Sequence, residues 1–193
     1  QPAGQRFVKC WLHGAHLLVD GKKMAKSLGN FFTLRDLTAR GYSGREMRFL
    51  LLKAHYRETF NFTLDGLEEA RSALARLDDC LTKVKEVAGG EAAAADATLL
   101  EAFTRVMDED LNVSAGWAVV FEWVREMNRL LAAGKLSPAQ AAAARGAWER
   151  LDAVFGGGRE AETEAHPQIL TLLEQRGAAA TARDFTHADE RPA

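Results

Sequence analysis

Apolar positions recur at helical spacing over most of the chain. Leu67, Ala70, Leu74, Leu77, Leu81 and Val84 follow one another at intervals of 3, 4, 3, 4 and 3, which lays a single apolar seam along a helix and calls for partner helices. Asn61 and Thr63, either able to cap, stand just before this run, and Gly89 with Gly90 ends it. Upstream, Ser43 and Glu46 form the pattern of a capping box opening the run Met47 to His55, in which Met47, Leu50, Leu51 and Ala54 share a face. Downstream, an Ala-rich stretch with Asp96 leads into Leu99, Leu100, Phe103, Val106 and Met107, a further helix. Residues 108–114 interrupt the periodicity, and Asn112 or Ser114 caps the next run, striped by Val119, Val120, Trp123, Val124, Met127 and Leu131. Ser137, Pro138 and Gln140 start another helix, with Trp148, Leu151, Val154 and Phe155 on its apolar side. Residues 156–166 read as a mobile loop, and Ile169, Leu170, Leu172 and Leu173 open a last helix running towards Ala188.

The beginning of the chain differs. From Phe7 to Asp20 short apolar runs break at Gly14, which suits two short strands or a strand and its return. There is no internal repeat. The pattern predicts a mainly α protein, an antiparallel helical bundle behind a short β-containing entry segment. Trp11, Trp117, Trp123 and Trp148 all fall on apolar stripes and are assigned to the core. With 193 residues, 47% hydrophobic and 27% charged, the chain has the composition of an ordinary globular protein, which excludes a collagen, a disulfide scaffold and wholesale disorder. No apolar run approaches the roughly 20 residues needed to cross a bilayer. Cys10 and Cys80 form no closely spaced framework, so reduced thiols and a cytoplasmic location are expected. The first residue is not Met and the chain opens inside what reads as a strand, which suggests a piece of a longer polypeptide.

Charge changes this picture, because it is polarised. Between Lys22 and Lys53 the cations are Lys22, Lys23, Lys26, Arg35, Arg40, Arg45, Arg48 and Lys53, opposed by Asp36 and Glu46, a local balance of +8 and −2. From Glu86 to Glu122 eight carboxylates face Arg105 alone. The first stretch can face an anion such as phosphate, through its long-range field and counterion release. The second cannot.

The stretch richest in candidate chemistry is DGKKMAKSLGNFFTLR, residues 20–35. Its core, Lys23-Met24-Ala25-Lys26-Ser27, resembles the KMSKS signature of class I aminoacyl-tRNA synthetases, and the surrounding residues are similar to those of cysteinyl-tRNA synthetases. KMAKSLGNFFTLRDL, RFLLLKAHYRETFNFT and MDEDLN stand in the order that family has them, and Arg176, Arg183, Asp184, Ala188, Asp189 and Arg191 sit at spacings similar to its last helix. The resemblance spans nearly the whole chain. It implies an ATP-dependent ligase in which the carboxylate of cysteine attacks the α-phosphate of ATP, with Mg2+, and the cysteinyl group then passes to the terminal ribose of tRNA(Cys). Lysines on a mobile loop would place ammonium groups where charge develops on the departing pyrophosphate. By this resemblance Lys26 is the first candidate for ATP contact and Lys23 the second, Ser27 fixes the closed loop, Gly21 and Gly29 supply its flexible ends, and Lys22 is an adjacent solvated charge. Ala25 stands where the family has Ser.

The resemblance divides the chain into residues 1–42, the end of a catalytic domain with the KMSKS-like loop; residues 43–155, a tRNA-binding helical bundle of the class I synthetase type; residues 156–166, a flexible loop; and residues 167–193, a truncated C-terminal helix. Arg35, Arg40, Arg45 and Arg48 are the candidate tRNA contacts. The family's HIGH motif and its zinc-binding cluster are absent from the sequence, so zinc is expected only in an N-terminal half, and this chain alone is expected to be inactive. Two rivals accompany this reading: the related cysteine ligase of mycothiol synthesis, and a non-catalytic tRNA-binding or interaction module derived from a synthetase.

Other constellations point to structure. Cys10, His13 and His16 have a C-x-x-H-x-x-H spacing, but strand alternation separates residues 10 and 13 and no fourth ligand lies nearby, so no metal site is assigned. Asp108, Glu109 and Asp110 read as an acidic helix end. His55, Tyr56 and Arg57 suit either a nucleic-acid contact or helix termination and packing.

Overall fold

A computed structural model of the chain describes residues 8–158. The entry segment pairs late: residues 8–16 form no strand, and the first strand, β1, covers only Leu17–Val19. Asp20 and Gly21, both at positive φ (49° and 73°), turn the chain directly into β2, Lys22–Lys23, antiparallel to β1. Asp-Gly is the pair that tolerates this geometry in a two-residue hairpin. Of the two expectations for this segment, two strands or a strand and its return, the described residues hold one strand, whose return lies beyond the turn at Lys22–Lys23.

A third strand, β3 at Phe60–Phe62, lies on the other edge of β1 and runs parallel to it, giving the order β2-β1-β3. Parallel neighbours need a long crossover. Here the crossover holds two helices, α1 (Leu34–Ala39) and α2 (Gly44–Leu52), opened by capping boxes at Thr33/Asp36 and Ser43/Glu46. The α2 box matches the sequence reading, although the helix stops at Leu52 instead of reaching His55. The short α1 and β3 were not legible in the periodicity.

Four longer helices follow. They are α3 (Leu64–Ala88), α4 (Ala97–Asp108), α5 (Val113–Ala132) and α6 (Pro138–Phe155). Of the alternative caps, Thr63 accepts from the Gly66 amide and Asn112 from the Ala115 amide, so Asn61 and Ser114 are free for other uses. Asp96 caps α4, and Ser137 with Gln140 forms the expected box ahead of Pro138. The α3 seam buries Leu67, Ala70, Leu74, Leu77 and Val84, with Leu81 at its margin. A run of alanines on α6, Ala141, Ala144 and Ala147 among them, is buried and keeps that helix slim where the bundle closes.

Within α5, Gly116 packs closely on aromatic neighbours: an added Cβ would lie 3.1 Å from a ring carbon of Phe103 and 3.4 Å from Phe155. Trp117 stacks on Phe155 at 4.0 Å between ring centroids and meets Phe49 edge-on. Trp117, Trp123 and Trp148 are core residues as expected, but Trp11 is 71% exposed, a correction that follows from its segment having no sheet to fold it inward. Cys80 is buried, its thiol pushed up to about 11 by desolvation, and Cys10 is exposed; both are free thiols. Val19 and Phe62 of the sheet are buried in the same core as the helices. Among the described residues no helix is long and apolar enough to cross a membrane. The last helix and most of the 156–166 loop lie outside the described residues.

Candidate functional site

The residues singled out for chemistry sit on the edge hairpin and the turn after it. Lys23 ends β2, and Lys26 opens a single 3-10 turn, Lys26–Leu28, closed by Gly29 at a φ of 66°. Lys22, Lys23, Lys26 and Ser27 are all exposed. Among the described residues Lys22 and Lys23 have no ion-pair partner, and the Lys26 ammonium rests 5.7 Å from the centroid of the Phe31 ring. Such a contact is weak at an exposed site, so the charge remains available.

Two asparagines give this loop its shape. The Asn30 side-chain oxygen accepts from the Ala25 amide at 2.9 Å, and its NH2 donates to the Lys23 carbonyl at 3.1 Å. One carboxamide thereby ties both ends of the Lys23–Ala25 segment. The Asn61 side chain accepts from the Gly21 amide at 2.7 Å, pinning the hairpin turn from β3. Neither role was assigned from sequence. Asn30 follows Gly29 in a stretch already marked as functional, which was the available signal, whereas Asn61 is 40 positions from its partner and gave none. Ala25, where a serine was expected by resemblance, contributes its amide to the bracing, so the absent hydroxyl leaves that support intact.

The candidate tRNA-contacting arginines divide. Arg35 is exposed on α1, with no ion pair among the described residues, and Arg40 lies over the Phe32 ring at 5.3 Å. Arg45 and Arg48 belong to the fold: Arg45 makes a two-pronged bond to Asp78 at 2.7 and 2.8 Å and donates to the Gly157 carbonyl, while Arg48 donates to the Phe155 carbonyl. The side chains of Arg45 and Asp78 are only 18% and 20% exposed. Arg45 thereby ties α2 to α3 and to the residue pair after α6, and Arg48, still exposed, ties α2 to the end of α6. Gly157 and Gly158 are held as well, by the Asp152 carboxylate, so the first described residues of the expected loop are anchored.

His55, Tyr56 and Arg57, left open between two readings, meet the acidic turn after α4. The Tyr56 hydroxyl donates to Asp110 at 2.6 Å, Arg57 donates to both Asp110 oxygens, and the His55 Nε2–H donates to the Asp110 carbonyl at 2.9 Å. Chiefly through Arg57 and then Tyr56, the Asp110 carboxyl is held at about 2. Asp110 and Leu111 both adopt positive φ, 58° and 55°, a conformation that costs of order 1–3 kcal/mol for a residue with a side chain. An ion pair as exposed as Asp110 and Arg57, at 47% and 64%, ordinarily returns about 0–1 kcal/mol. Cys10, His13 and His16 stay exposed, with Trp11 stacked near His13, and among the described residues no three His, Cys, Asp or Glu side chains gather as metal ligands.

Comparison with known proteins is consistent with this geometry. Residues 2–72 match the family model for the class I (C) tRNA synthetase catalytic domain, and residues 102–157 match the DALR domain. The chain is 38% identical over 197 residues to a cysteine–tRNA ligase of Chlamydia muridarum, covering 95% of this chain and 42% of the relative. It is 42% identical to that of Halorhodospira halophila, covering 97% of this chain and 41% of the relative. The chain thus spans about two fifths of the length of the curated relatives it matches.

Proposed function

We propose that the chain is part of a cysteine–tRNA ligase, as its matches to the class I (C) catalytic and DALR models and its similarity to ligases of that name support, and that it supplies the ATP-closing lysine loop and the tRNA-docking helical bundle of an enzyme that activates cysteine and transfers it to tRNA(Cys). The observation that carries this reading is the braced hairpin, which holds Lys23 and Lys26 exposed and, among the described residues, without carboxylate partners on a backbone fixed by Asn30 and Asn61.

In the activation step a carboxylate oxygen of cysteine forms a bond to the α-phosphorus of ATP, and the bond from that phosphorus to the bridging oxygen breaks, leaving cysteinyl adenylate and pyrophosphate. In the transfer step a ribose hydroxyl of the tRNA takes the cysteinyl group and AMP departs. Negative charge grows on the departing pyrophosphate, so a cation there is stronger in the transition state than in the ground state. Lys26 is assigned the main contact, since leaving the Phe31 ring costs it little, with Lys23 beside it. Ser27 offers a hydroxyl hydrogen that the open loop does not use among the described residues. Mg2+ accompanies ATP as part of the substrate. Zinc belongs, in this reading, to parts of the enzyme that this chain does not supply.

For tRNA, the exposed cations Arg35 and Arg40 next to the lysine loop form the phosphate-facing patch, and the bundle of residues 43–155 is the docking body. The mycothiol ligase and the detached binding module gain no support from a specific feature of the site. The decisive experiment is ATP–pyrophosphate exchange at saturating cysteine on the whole gene product. Lys26→Ala should slow activation by roughly 10² to 10³, as loss of one oriented transition-state donor does. Activity within twofold of the parent would refute the assignment.

A further inference from the structure

We propose that Asp110 is a positioning residue for the lysine hairpin, acting through the Tyr56–Arg57 loop. The inference rests on the ligase reading above and extends it to a residue about which the family assignment says nothing.

The observation is a continuous set of contacts with Tyr56 at its centre. On one side the Tyr56 hydroxyl and the Arg57 guanidinium are fixed to the Asp110 carboxylate. On the other, the Tyr56 carbonyl accepts from the Ala15 amide at 2.7 Å, just ahead of β1. The pairing then continues: the Phe60 amide donates to the His16 carbonyl, and β3 runs alongside β1 to the Asp20 amide on the Phe62 carbonyl. β1 carries β2 and its two lysines, and Asn61 of β3 holds the turn between them. The loop between α2 and β3 is therefore gripped at two points, one on the helical bundle and one on the strand that carries the hairpin. His55 grips the Asp110 backbone as well.

The strained turn is the second, independent observation. Asp110 and Leu111 stand at positive φ without being glycine, and that geometry aims the carboxylate at Tyr56 and Arg57. A turn serving only to join α4 to α5 would be better made by glycine. What the turn gains in return is the set of contacts to His55, Tyr56 and Arg57, all on the one loop that leads into β3. Setting the angle at which the hairpin leaves the bundle is a reason of the right kind, because small displacements of a charge-placing group carry large rate penalties.

The test is Asp110→Gly in the whole gene product, which removes the carboxylate while relieving the strain, with Asp110→Asn as the gentler variant that keeps an acceptor for Tyr56. Thermal stability of Asp110→Gly should stay within a few degrees of the parent. The kcat of pyrophosphate exchange should fall about tenfold with KM for cysteine unchanged, and amide exchange at Gly21 and Ala25 should speed up. Asp110→Asn should lie between the two. In combination with Lys26→Ala, the Asp110→Gly change should add little, since both act through the same cation. Parental activity with unchanged amide exchange would overturn the proposal, and so would full multiplication of the two losses. A Lys26→Ala enzyme as active as the parent would instead refute the ligase reading, and the amide-exchange result would then judge the Asp110 contact by itself.

Discussion

Replacing Asn30 by alanine removes the one side chain that fixes the lysine segment from within. Two hydrogen bonds are lost, to the Ala25 amide at 2.9 Å and from the Asn30 NH2 to the Lys23 carbonyl at 3.1 Å. At about 0.5–1.5 kcal/mol net for each such bond, the braced conformation should lose about 2 kcal/mol relative to opened ones. If catalysis proceeds from the braced conformation, that is roughly thirtyfold in kcat/KM for ATP. The global fold should barely notice, because the loop is peripheral and its opening is a local event; the melting temperature should move by no more than a few degrees. Asn30→Asp is the sharper variant. It retains an acceptor for Ala25, loses the donor to the Lys23 carbonyl, and puts a carboxylate where a triphosphate must approach, so it should be worse than alanine in KM for ATP and no worse in stability. Pyrophosphate exchange with ATP varied at saturating cysteine reads both effects. An Asn30→Ala enzyme within twofold of the parent would show that the bracing seen in the resting loop is irrelevant to its working form.

Two further outcomes probe the bundle and the basic face. At Gly116, alanine gains about 1 kcal/mol of helix propensity but must displace the Phe103 ring, so urea unfolding should show a change within about 1 kcal/mol; valine, bulkier against the same contacts at 3.1 to 3.5 Å, should lose about 2 kcal/mol or more, and a stabilised valine variant would contradict the packing. Reversal of Arg35 and Arg40 together to Glu should weaken tRNA binding and flatten its salt dependence, measured by filter binding at two ionic strengths, whereas the same reversal at Arg125 and Arg129, already paired with Glu122 and Glu126, should do neither.

What the sequence made legible is what depends on near neighbours. The seam of α3, the capping boxes at Ser43 and Ser137, and the stripe of α5 all repeat within a turn or two of helix, and each stands where the periodicity put it. β3 escaped because three residues carry no period and its partner lies 43 positions away, Leu17 opposite Phe60. Trp11 was misread for the related reason that an apolar stripe predicts burial only if an element forms to bury it. The lysines could be named from a local motif, but the groups that orient them could not. Asn61, Tyr56 and Asp110 act across 40 to 54 positions, a distance over which residue order holds no geometry. Two blocks that read as separate signatures, AHYRETFNFT and MDEDLN, prove to be two halves of one contact.

The charge count shows the same limit in quantitative form. Eight cations between Lys22 and Lys53 suggested one anion-facing surface, but the fold sorts them by chain position. Arg45 and Arg48 are consumed by Asp78 and by the carbonyls at the end of α6, and Lys53 pairs with Glu69. The first five remain, with Lys26 and Arg40 on aromatic faces and Lys22, Lys23 and Arg35 in solvent. An aromatic face holds a cation at a cost of about 0.5–1 kcal/mol to leave, far less than a desolvated carboxylate demands. The division therefore sets charges held only by aromatic faces or water apart from Arg45, which is bound to a largely desolvated carboxylate. Reversing Arg45 or Arg48 would disturb the closure of α2 against α3 and α6. The free cations, by contrast, are gathered on the hairpin, which Asn30 and Asn61 brace, and on the neighbouring α1. A basic stretch that looks continuous in one dimension is thus two things in three: a fastening for the bundle and a set of movable charges mounted on a braced edge.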